Sequence, residues 1–437
     1  MTTSDDPTTA DDLTGSDDPA SGDKAGTLVG DGLVLRAARP GELDQIGALL
    51  TDRGEADDAV DHRLVVEDPD LGWSACAVVV DGDRVVATAS LLDEQVRVGQ
   101  VVLPAGQVEL VAVAESHEHR GLARALMDWA HERSAQRGHL LQVMIGIPYF
   151  YRLFGYEYAI DIAPARELTG EVAIAGAGGG RLRAATEADL SVLAALQDIA
   201  QSAFDVAVPH PPARWRALLA HSASRTWVLE RDGVVVASAR VRDDEDGLLV
   251  AEPAATDRGA AFALLSRLVE LSAGRTIAAV HRAGTVTGTA WDPVLGVADE
   301  AAEQYYVRVP DAAGLLDALR PVLDQRIAEL GRRTGLAGLS TARRARDALV
   351  LSTFGAHHSM PFVDGALGPV QTGGPMQGPG VVGGFGVAPD QLGALLLGSR
   401  GFAGLRRLRP DVYGDPELGE ALFPPLTADV LSYYLPW

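Results

Sequence analysis

The sequence predicts an α/β (α+β) protein that contains one domain twice, followed by a third and smaller α+β domain. The segment "LVLRAARPGELDQIGALL" at 33–50 is echoed by "GRLRAATEADLSVLAALQ" at 180–197. Each copy predicts a short strand, a polar N-cap region and an amphipathic helix. Each is followed by two apolar runs joined by an Asp-Gly turn, which indicates a hairpin, and then by Arg-Gly before an apolar helix.

These observations divide the chain into four segments. Residues 1–29 are predicted to be a disordered tail, because the first 24 residues contain seven Asp and one Lys. The two copies are expected at 30–167 and 180–307, joined by the glycine-rich stretch 175–180. The third domain, 308–437, begins with an amphipathic helix at 309–330 whose internal proline predicts a kink or a division.

Charge and composition argue against nucleic acid binding and against a membrane-spanning protein. The net charge is −23, of which the tail supplies −6, and so acidic a chain repels nucleic acid phosphates. No apolar run reaches the roughly 18–20 residues of a membrane helix. The single cysteine and the absence of a secretory signal pattern predict a reducing, cytoplasmic location. The acidity suits a cationic substrate such as an amine, although it also serves solubility.

The stretch "VELVAVAESHEHRGLARALMDWA" at 108–130 contains the candidate ligand-binding loop of the first copy. It predicts a buried strand at 108–114 and a helix that begins near Gly121 and ends before Gly138. The free amides at such a helix start can hold a pyrophosphate, helped by Arg120 and Arg124, or the loop can simply turn the chain. Glu118 stands out because it places a negative charge where an anion would bind.

The segment that follows, together with the strand, loop and helix before it, indicates a protein family. "HLLQVMIG" at 139–146 predicts another buried strand, and the aromatic segment "IPYFYRLFGYEYA" follows at 147–159. Strand, loop, helix, strand and Tyr-x-x-Phe-Gly-Tyr together closely resemble the GNAT superfamily of acyl-CoA-dependent N-acetyltransferases. The loop motif of that superfamily is Arg/Gln-x-x-Gly-x-Gly/Ala. Here its two small positions are Gly121 and Ala123, whereas Glu118 replaces the first residue.

The layout of residues 33–437 resembles the Eis (enhanced intracellular survival) type of acetyltransferase. That resemblance implies tandem GNAT folds, the second of them degenerate, followed by a sterol-carrier-protein-like α+β domain. It also implies acetyl-CoA as the acetyl donor, no metal, and a homo-oligomer for which a hexamer is one form. The acceptors it suggests are primary amines of the aminoglycoside, polyamine or lysine type.

The resemblance also assigns roles to individual residues. The backbone of a splayed strand would pair with the pantetheine arm, and loop amides would hold the pyrophosphate. Tyr151 would be the general acid, although packing among aromatic neighbours is the alternative from the residues alone. The general base would be the C-terminal carboxylate of Trp437, with Glu109 or a water chain as rivals. The predicted cofactor-binding residues are Leu110, Val111, Ala112, Val113, His119, Arg120, Gly121, Leu122, Ala123, Arg124, Gly146 and Ile147.

Two other functions are compatible with the same sequence. In the first, the GNAT site has decayed and the protein is an acyl-CoA-binding scaffold, which the acidic loop residue Glu118 favours. In the second, the C-terminal domain carries an apolar ligand, which requires an apolar cavity within 308–437.

Overall fold

The structure, a computed structural model, describes residues 26–170, 179–298, 303–334, 348–364, 366–373 and 384–430. The predicted linker at 175–180 falls mostly outside the described residues, and Trp437 lies wholly outside them. Within the described chain, no helix is both long enough and apolar enough to span a bilayer.

The described residues form three consecutive groups of elements. The first group contains α1 (Leu43–Arg53), α2 (Ala56–Glu67), α3 (Leu122–Gln136) and strands β1 (Thr27–Leu28), β2 (Val34–Ala37), β3 (Cys76–Asp81), β4 (Arg84–Val98), β5 (Val101–Val113), β6 (Leu141–Met144), β7 (Glu157–Asp161) and β8 (Ala165–Glu167). The second contains α4 (Leu190–Gln201), α5 (Pro212–Ala220), α6 (Arg258–Ser272), α7 (Val286–Trp291) and strands β9 (Arg181–Ala184), β10 (Val206–Ala207), β11 (Arg225–Arg231), β12 (Val234–Asp243), β13 (Gly247–Ala255), β14 (Thr276–Val280) and β15 (Gln304–Arg308). The third contains α8 (Ala312–Thr334), α9 (Leu392–Leu397), α10 (Gly401–Leu408), α11 (Pro416–Leu422) and strands β16 (Ala348–Ser352), β17 (His357–Val363), β18 (Ala366–Leu367), β19 (Gln371–Thr372), β20 (Gly384–Gly386) and β21 (Ala428–Asp429).

The internal repeat appears in the sheets. The first sheet runs β1-β2-β3-β4-β5-β6-β15-β7 and the second runs β9-β11-β12-β13-β14-β8. In both sheets, antiparallel pairings precede a helix and a parallel crossover. Within the described chain, the first sheet has four such pairings before its β5-to-β6 crossover, and the second has three before its β13-to-β14 crossover. The two predicted hairpins are confirmed as β3–β4 and β11–β12.

The sheets exchange strands across the expected domain limits. β15 comes from the end of the second copy, yet it pairs with β6 and β7 in the first sheet. β8, from the end of the first copy, pairs with β14 in the second sheet. The limits at 167 and 307 therefore do not separate the two sheets, because each sheet includes a strand from the other segment.

Two smaller expectations also change. Thr27–Leu28, inside the segment predicted to be disordered, pair with β2, and the turn that follows is closed by a bond from the amide of Val29 to the carbonyl of Leu33. Pro321 does not divide α8, which continues on both sides of it. Buried leucines before and after the proline, Leu319 and Leu323, fix the helix against the core.

The third group packs directly against the first sheet. One hydrophobic cluster joins Leu141 and Val307 of that sheet to Leu315 of α8 and Leu396 of α9. Its own five-stranded sheet has the order β18-β17-β16-β20, with β19 paired to β17. A sterol-carrier-like fold for this group stays a prediction.

Candidate active site

The central feature of the first sheet is an opening between β5 and β6. The two parallel strands pair only at three positions, and the last pair is Gln107 with Val143. β5 then continues to Val113 with no strand partner on that side in the described chain. Its backbone N–H and C=O groups there are free to bind an extended ligand.

A β-bulge marks the start of the opening. Ser90 faces Glu109 and Thr88 faces Ala112, so Leu110 and Val111 together face Ala89. Leu110 has a φ of 55°, which an L-residue adopts only when its surroundings impose it. A bulge bends its strand and re-aims side chains, and this one turns β5 away from β6. The predicted pantetheine-binding residues 110–113 therefore line the opening.

The predicted anion loop lies at the end of the same strand. It runs through a 3₁₀ turn at Glu115–His117, and α3 begins at Leu122 as expected. Gly121 is the N-cap residue in the left-handed conformation with a φ of 80°, and no side chain caps the helix. The first-turn amides of Leu122, Ala123 and Arg124 therefore remain available to an anion, with the helix dipole adding positive potential.

The corresponding helix of the second sheet is closed to an anion. The Asp257 carboxylate caps α6 by accepting a hydrogen bond from the amide of Ala260 at 2.8 Å. β13 keeps a bulge, with Glu252 at a φ of 51°, but the Pro253 carbonyl already accepts bonds from Arg282 and Thr287. The second opening is thus filled by the protein's own side chains, whereas the first is not.

The charged side chains of the first loop have partners that the sequence did not reveal. Glu118 pairs with Arg53 at the end of α1, with about a third of each side chain exposed. Arg120 pairs with Asp31 at 3.1 Å, so its guanidinium is not reserved for a ligand. The Arg124 guanidinium lies 5.2 Å from the Phe154 ring centroid, on the side of the loop nearest the aromatic segment.

We expect Glu118→Gln to tighten acetyl-CoA binding by roughly two- to fivefold. The change removes one negative charge from the loop and frees Arg53 to attract a phosphate, while an exposed ion pair contributes at most about 1 kcal/mol to stability. Calorimetric titration at low and high salt measures the effect, which should shrink as salt rises. Glu115→Gln, in the exposed part of the same loop, is the matched control. A large loss of affinity in Glu118→Gln would instead show that the Arg53 pair shapes the loop.

Tyr151 lies on a 3₁₀ helix, Phe150–Phe154, between β6 and β7. The residue is 6% exposed, and its ring contacts Phe150, Tyr156 and Tyr306. Tyr151 therefore does pack among aromatic neighbours. Its hydroxyl, however, has no hydrogen-bond partner in the described part of the chain. Burial, with the nearby charge of Glu109, raises the pKa of Tyr151 to about 12, which keeps the phenol protonated.

Gly146 makes room for this tyrosine. A Cβ at Gly146 would lie 2.2 Å from Cε2 of Tyr151, closer than any real contact. Ile147, also predicted to bind cofactor, is 64% exposed. Its carbonyl and the amide of Tyr149 both bond to the Tyr306 hydroxyl, at 3.3 and 2.7 Å. The exchanged strand β15 therefore fixes the loop that positions Tyr151, a contribution that the sequence analysis missed.

Glu109 lies half-buried immediately before the bulge. Burial raises the pKa of its carboxyl group to about 8, against the lowering effect of a hydrogen bond from Gln107. The Gln107 amide in turn accepts a bond from Arg214 at 3.1 Å, and Arg214 forms a fully buried ion pair with Glu94. A polar network thus runs from α5 of the second group to Glu109. It could not be predicted from the sequence, because Arg214 lies in an ordinary helical stretch.

Further acidic groups lie near Glu109. Asp58 and Asp61 of α2 act electrostatically on the Glu109 carboxyl group and help to raise its pKa. Asp61 is itself buried and pairs with His221 at 2.7 Å, and burial raises the pKa of Asp61 to about 6. No group of three or more potential metal ligands occurs in the described residues. The histidine pair His357 and His358 is buried in β17.

Comparison with known proteins agrees with this geometry. Residues 35–159 match the family described as an acetyltransferase (GNAT) domain. No curated protein matches the chain in sequence. Similar solved structures include a GCN5-related N-acetyltransferase from Kribbella flavida, with 19% identity, a TM-score of 0.62, and 91% of this chain and 97% of that chain covered.

Two more structures are similar over nearly the whole chain. One is a conserved protein of unknown function from Enterococcus faecalis V583, described as a probable N-acyltransferase (12% identity, TM-score 0.64, 91% and 100% covered). Another is Eis1 from Mycobacterium abscessus (17% identity, TM-score 0.58, 90% and 97% covered). At such identities the likeness shows a shared fold. The family match and the strand opening together show that residues 35–159 form a GNAT acetyltransferase domain.

Proposed function

We propose that this protein is an acetyl-CoA-dependent N-acetyltransferase of the Eis type that acetylates a primary amine. The observation that carries the proposal is the opening beyond the Gln107–Val143 pair, which leaves the 108–113 backbone free beside an uncapped helix start. The strand would pair with the pantetheine arm, and the amides from His119 to Arg124 would hold the pyrophosphate. Side-chain help from Arg120 is not part of the proposal, because Arg120 already pairs with Asp31.

The reaction needs two proton transfers. The amine nitrogen attacks the thioester carbonyl carbon, forming a C–N bond as the C–S bond breaks. Tyr151, whose hydroxyl is protonated and has no hydrogen-bond partner among the described residues, gives its proton to the departing thiolate. A carboxylate takes the proton from the amine, and the two protein groups regain their starting states by proton exchange through water.

Glu109 is the base that the described residues support. Its pKa of about 8 is close to a working pH, which is where a general base is most effective. The terminal carboxylate of Trp437, which the Eis resemblance favours, lies outside the described residues and remains the alternative. A one-residue C-terminal extension separates the two, since it moves the terminal carboxylate and leaves Glu109 untouched.

Acidic groups around Glu109 support a cationic acceptor. Asp58 and Asp61 act electrostatically on Glu109, so an ammonium group near Glu109 would be attracted. Aminoglycosides, polyamines and lysine side chains all carry such a group. Thiol release from acetyl-CoA across a panel of these amines tests the proposal. Amine-dependent release supports it, and binding of acetyl-CoA without release on any amine would favour the decayed scaffold.

The rate of acetyl transfer should rise with pH through about 8. A raised pKa means that Glu109 is protonated below this pH and cannot accept a proton, so kcat should grow about tenfold per pH unit on the acid side and then level off. With Tyr151 titrating near 12, no decline is expected below about pH 10. The profile is measured at saturating amine. Glu109→Gln should remove the rise at pH 8, and an unchanged profile in that variant would assign the base elsewhere.

The Eis resemblance also supports a homo-oligomer, a cytoplasmic location and a degenerate second GNAT fold whose helix is capped by Asp257. Sedimentation of the full chain measures the oligomer, for which we propose a hexamer.

A further inference from the structure

A cavity of about 150 Å³ lies at the β7 edge of the first sheet. Edge strand β7 forms one wall, and α9, α10 and their connection form the other. Strands β6 and β15 separate β7 from the opening beside β5. The polar residues lining the cavity include Arg152, Glu157, Gln304, Gln391, Arg400 and Arg409.

The lining is positively charged, although the whole chain carries −23. Three arginines face one carboxylate. Arg152 neutralises Glu157, with its Nε 3.0 Å from the Glu157 Oε1, and it also lies over the Tyr158 ring. Arg400 and Arg409 are solvent-exposed at the rim of the cavity and form no ion pair or side-chain hydrogen bond within the described ranges. Two arginines without carboxylate partners therefore share one small cavity.

The buried floor of the cavity also lacks a partner. Gln391 is 4% exposed, and its Nε2 donates to no acceptor in the part of the chain that the structure describes. A buried N–H without an acceptor costs about 1–3 kcal/mol, so such groups normally contact an oxygen. Because Gln391 lines the cavity, a ligand oxygen there would satisfy it.

The walls are held close by two glycines. A Cβ at Gly398 would lie 2.7 Å from the Ala159 carbonyl oxygen of β7, and one at Gly393 would lie 2.9 Å from Cγ1 of Val307. Helix α9 therefore packs directly on the edge of the sheet, and the cavity has fixed dimensions. Its volume accommodates an anion of the size of phosphate.

We infer that this cavity binds a small divalent oxyanion, held by the guanidinium groups of Arg400 and Arg409 and by the side-chain amide of Gln391. Guanidinium groups bind phosphate or carboxylate oxygens through paired N–H donors. The site would cross-link α10 to the segment Phe150–Phe154, since Arg152 of that segment forms the opposite wall. Occupancy would thereby stabilise the contact between the third group of elements and the GNAT domain.

Calorimetric titration with inorganic phosphate, and separately with malonate, tests the inference at low ionic strength. Each titration is run on the full chain with and without saturating coenzyme A, because coenzyme A would displace a phosphate bound at the start of α3. We expect binding that persists with coenzyme A present and weakens at least about tenfold in the Arg400→Gln/Arg409→Gln double variant. Arg406→Gln/Arg407→Gln is the matched control, with the same charge loss in the last turn of α10 but outside the cavity lining, and it should stay within about twofold of wild type.

The two probes distinguish between the kinds of anion that the site could bind. Binding of phosphate alone assigns the site to phosphoryl groups, and binding of both probes assigns it to divalent oxyanions in general. Gln391→Leu, which removes the unpartnered donor and keeps the volume, should weaken either probe without lowering the melting temperature of the free protein. The inference is overturned if wild type binds neither probe, if coenzyme A abolishes binding, or if the two double variants behave alike. Coenzyme A binding itself is measured separately, so its failure would not affect this result.

Discussion

Replacing Tyr151 with phenylalanine is expected to lower kcat by about 10²–10⁴-fold while leaving acetyl-CoA affinity unchanged. The substitution removes only the hydroxyl, which has no partner among the described residues, and keeps the ring that packs against Phe150, Tyr156 and Tyr306. Stability should therefore be unaffected, and any loss of rate reports on proton donation. Steady-state kinetics, calorimetry with acetyl-CoA and thermal unfolding measure the three quantities.

The control for this variant is Tyr149→Phe. The Tyr149 side chain is 65% exposed two residues before Tyr151, and its backbone amide, which contacts Tyr306, is unchanged by the substitution. It should keep wild-type kcat. If Tyr151→Phe also retained full kcat, Tyr151 would be a packing residue and the general acid would have to be sought elsewhere.

Gly146→Ala is expected to lower kcat by about a hundredfold through geometry alone. The added methyl group would lie 2.2 Å from Cε2 of Tyr151, and the ring cannot easily retreat because it is buried among aromatic neighbours. The loop cannot retreat either, since Tyr306 holds the Ile147 carbonyl and the Tyr149 amide. A displaced phenol no longer meets the departing thiolate.

A double-variant cycle distinguishes this explanation from general disruption. In the Tyr151→Phe background, Gly146→Ala should cost little further activity, because the hydroxyl that it misplaces is already absent. Losses that multiply in the double variant would mean that Gly146 acts independently of Tyr151, for example through direct contact with the acetyl donor.

Local patterns in the sequence predicted much of the candidate site. The Asp-Gly turns identified both hairpins, and the apolar spacing of residues 122–130 placed α3 correctly, because these features depend on neighbours within a few residues. The opening beside β5 followed from the GNAT resemblance, and its bulge at Leu110 is consistent with that expectation.

Long-range pairing could not be predicted in the same way. "QYYVR" reads as a strand, but nothing in it indicates insertion between β6 and β7, about 150 residues earlier in the chain. The Arg53 partner of Glu118 and the Arg214 contact with Gln107 also join distant segments. Glu118, which seemed unsuited to an anion loop, instead ties that loop to α1.

Hydrogen exchange of the backbone amides, with and without acetyl-CoA, tests the central claim most directly. The claim is that the free edge of β5 and the uncapped start of α3 together hold the acetyl donor. Acetyl-CoA should slow exchange in peptides covering 108–113 and 118–124, and it should leave the equivalent segments at 250–255 and 257–262 of the second sheet unchanged. Protection confined to the second sheet, or no protection in 108–124 at saturating acetyl-CoA, would contradict the account.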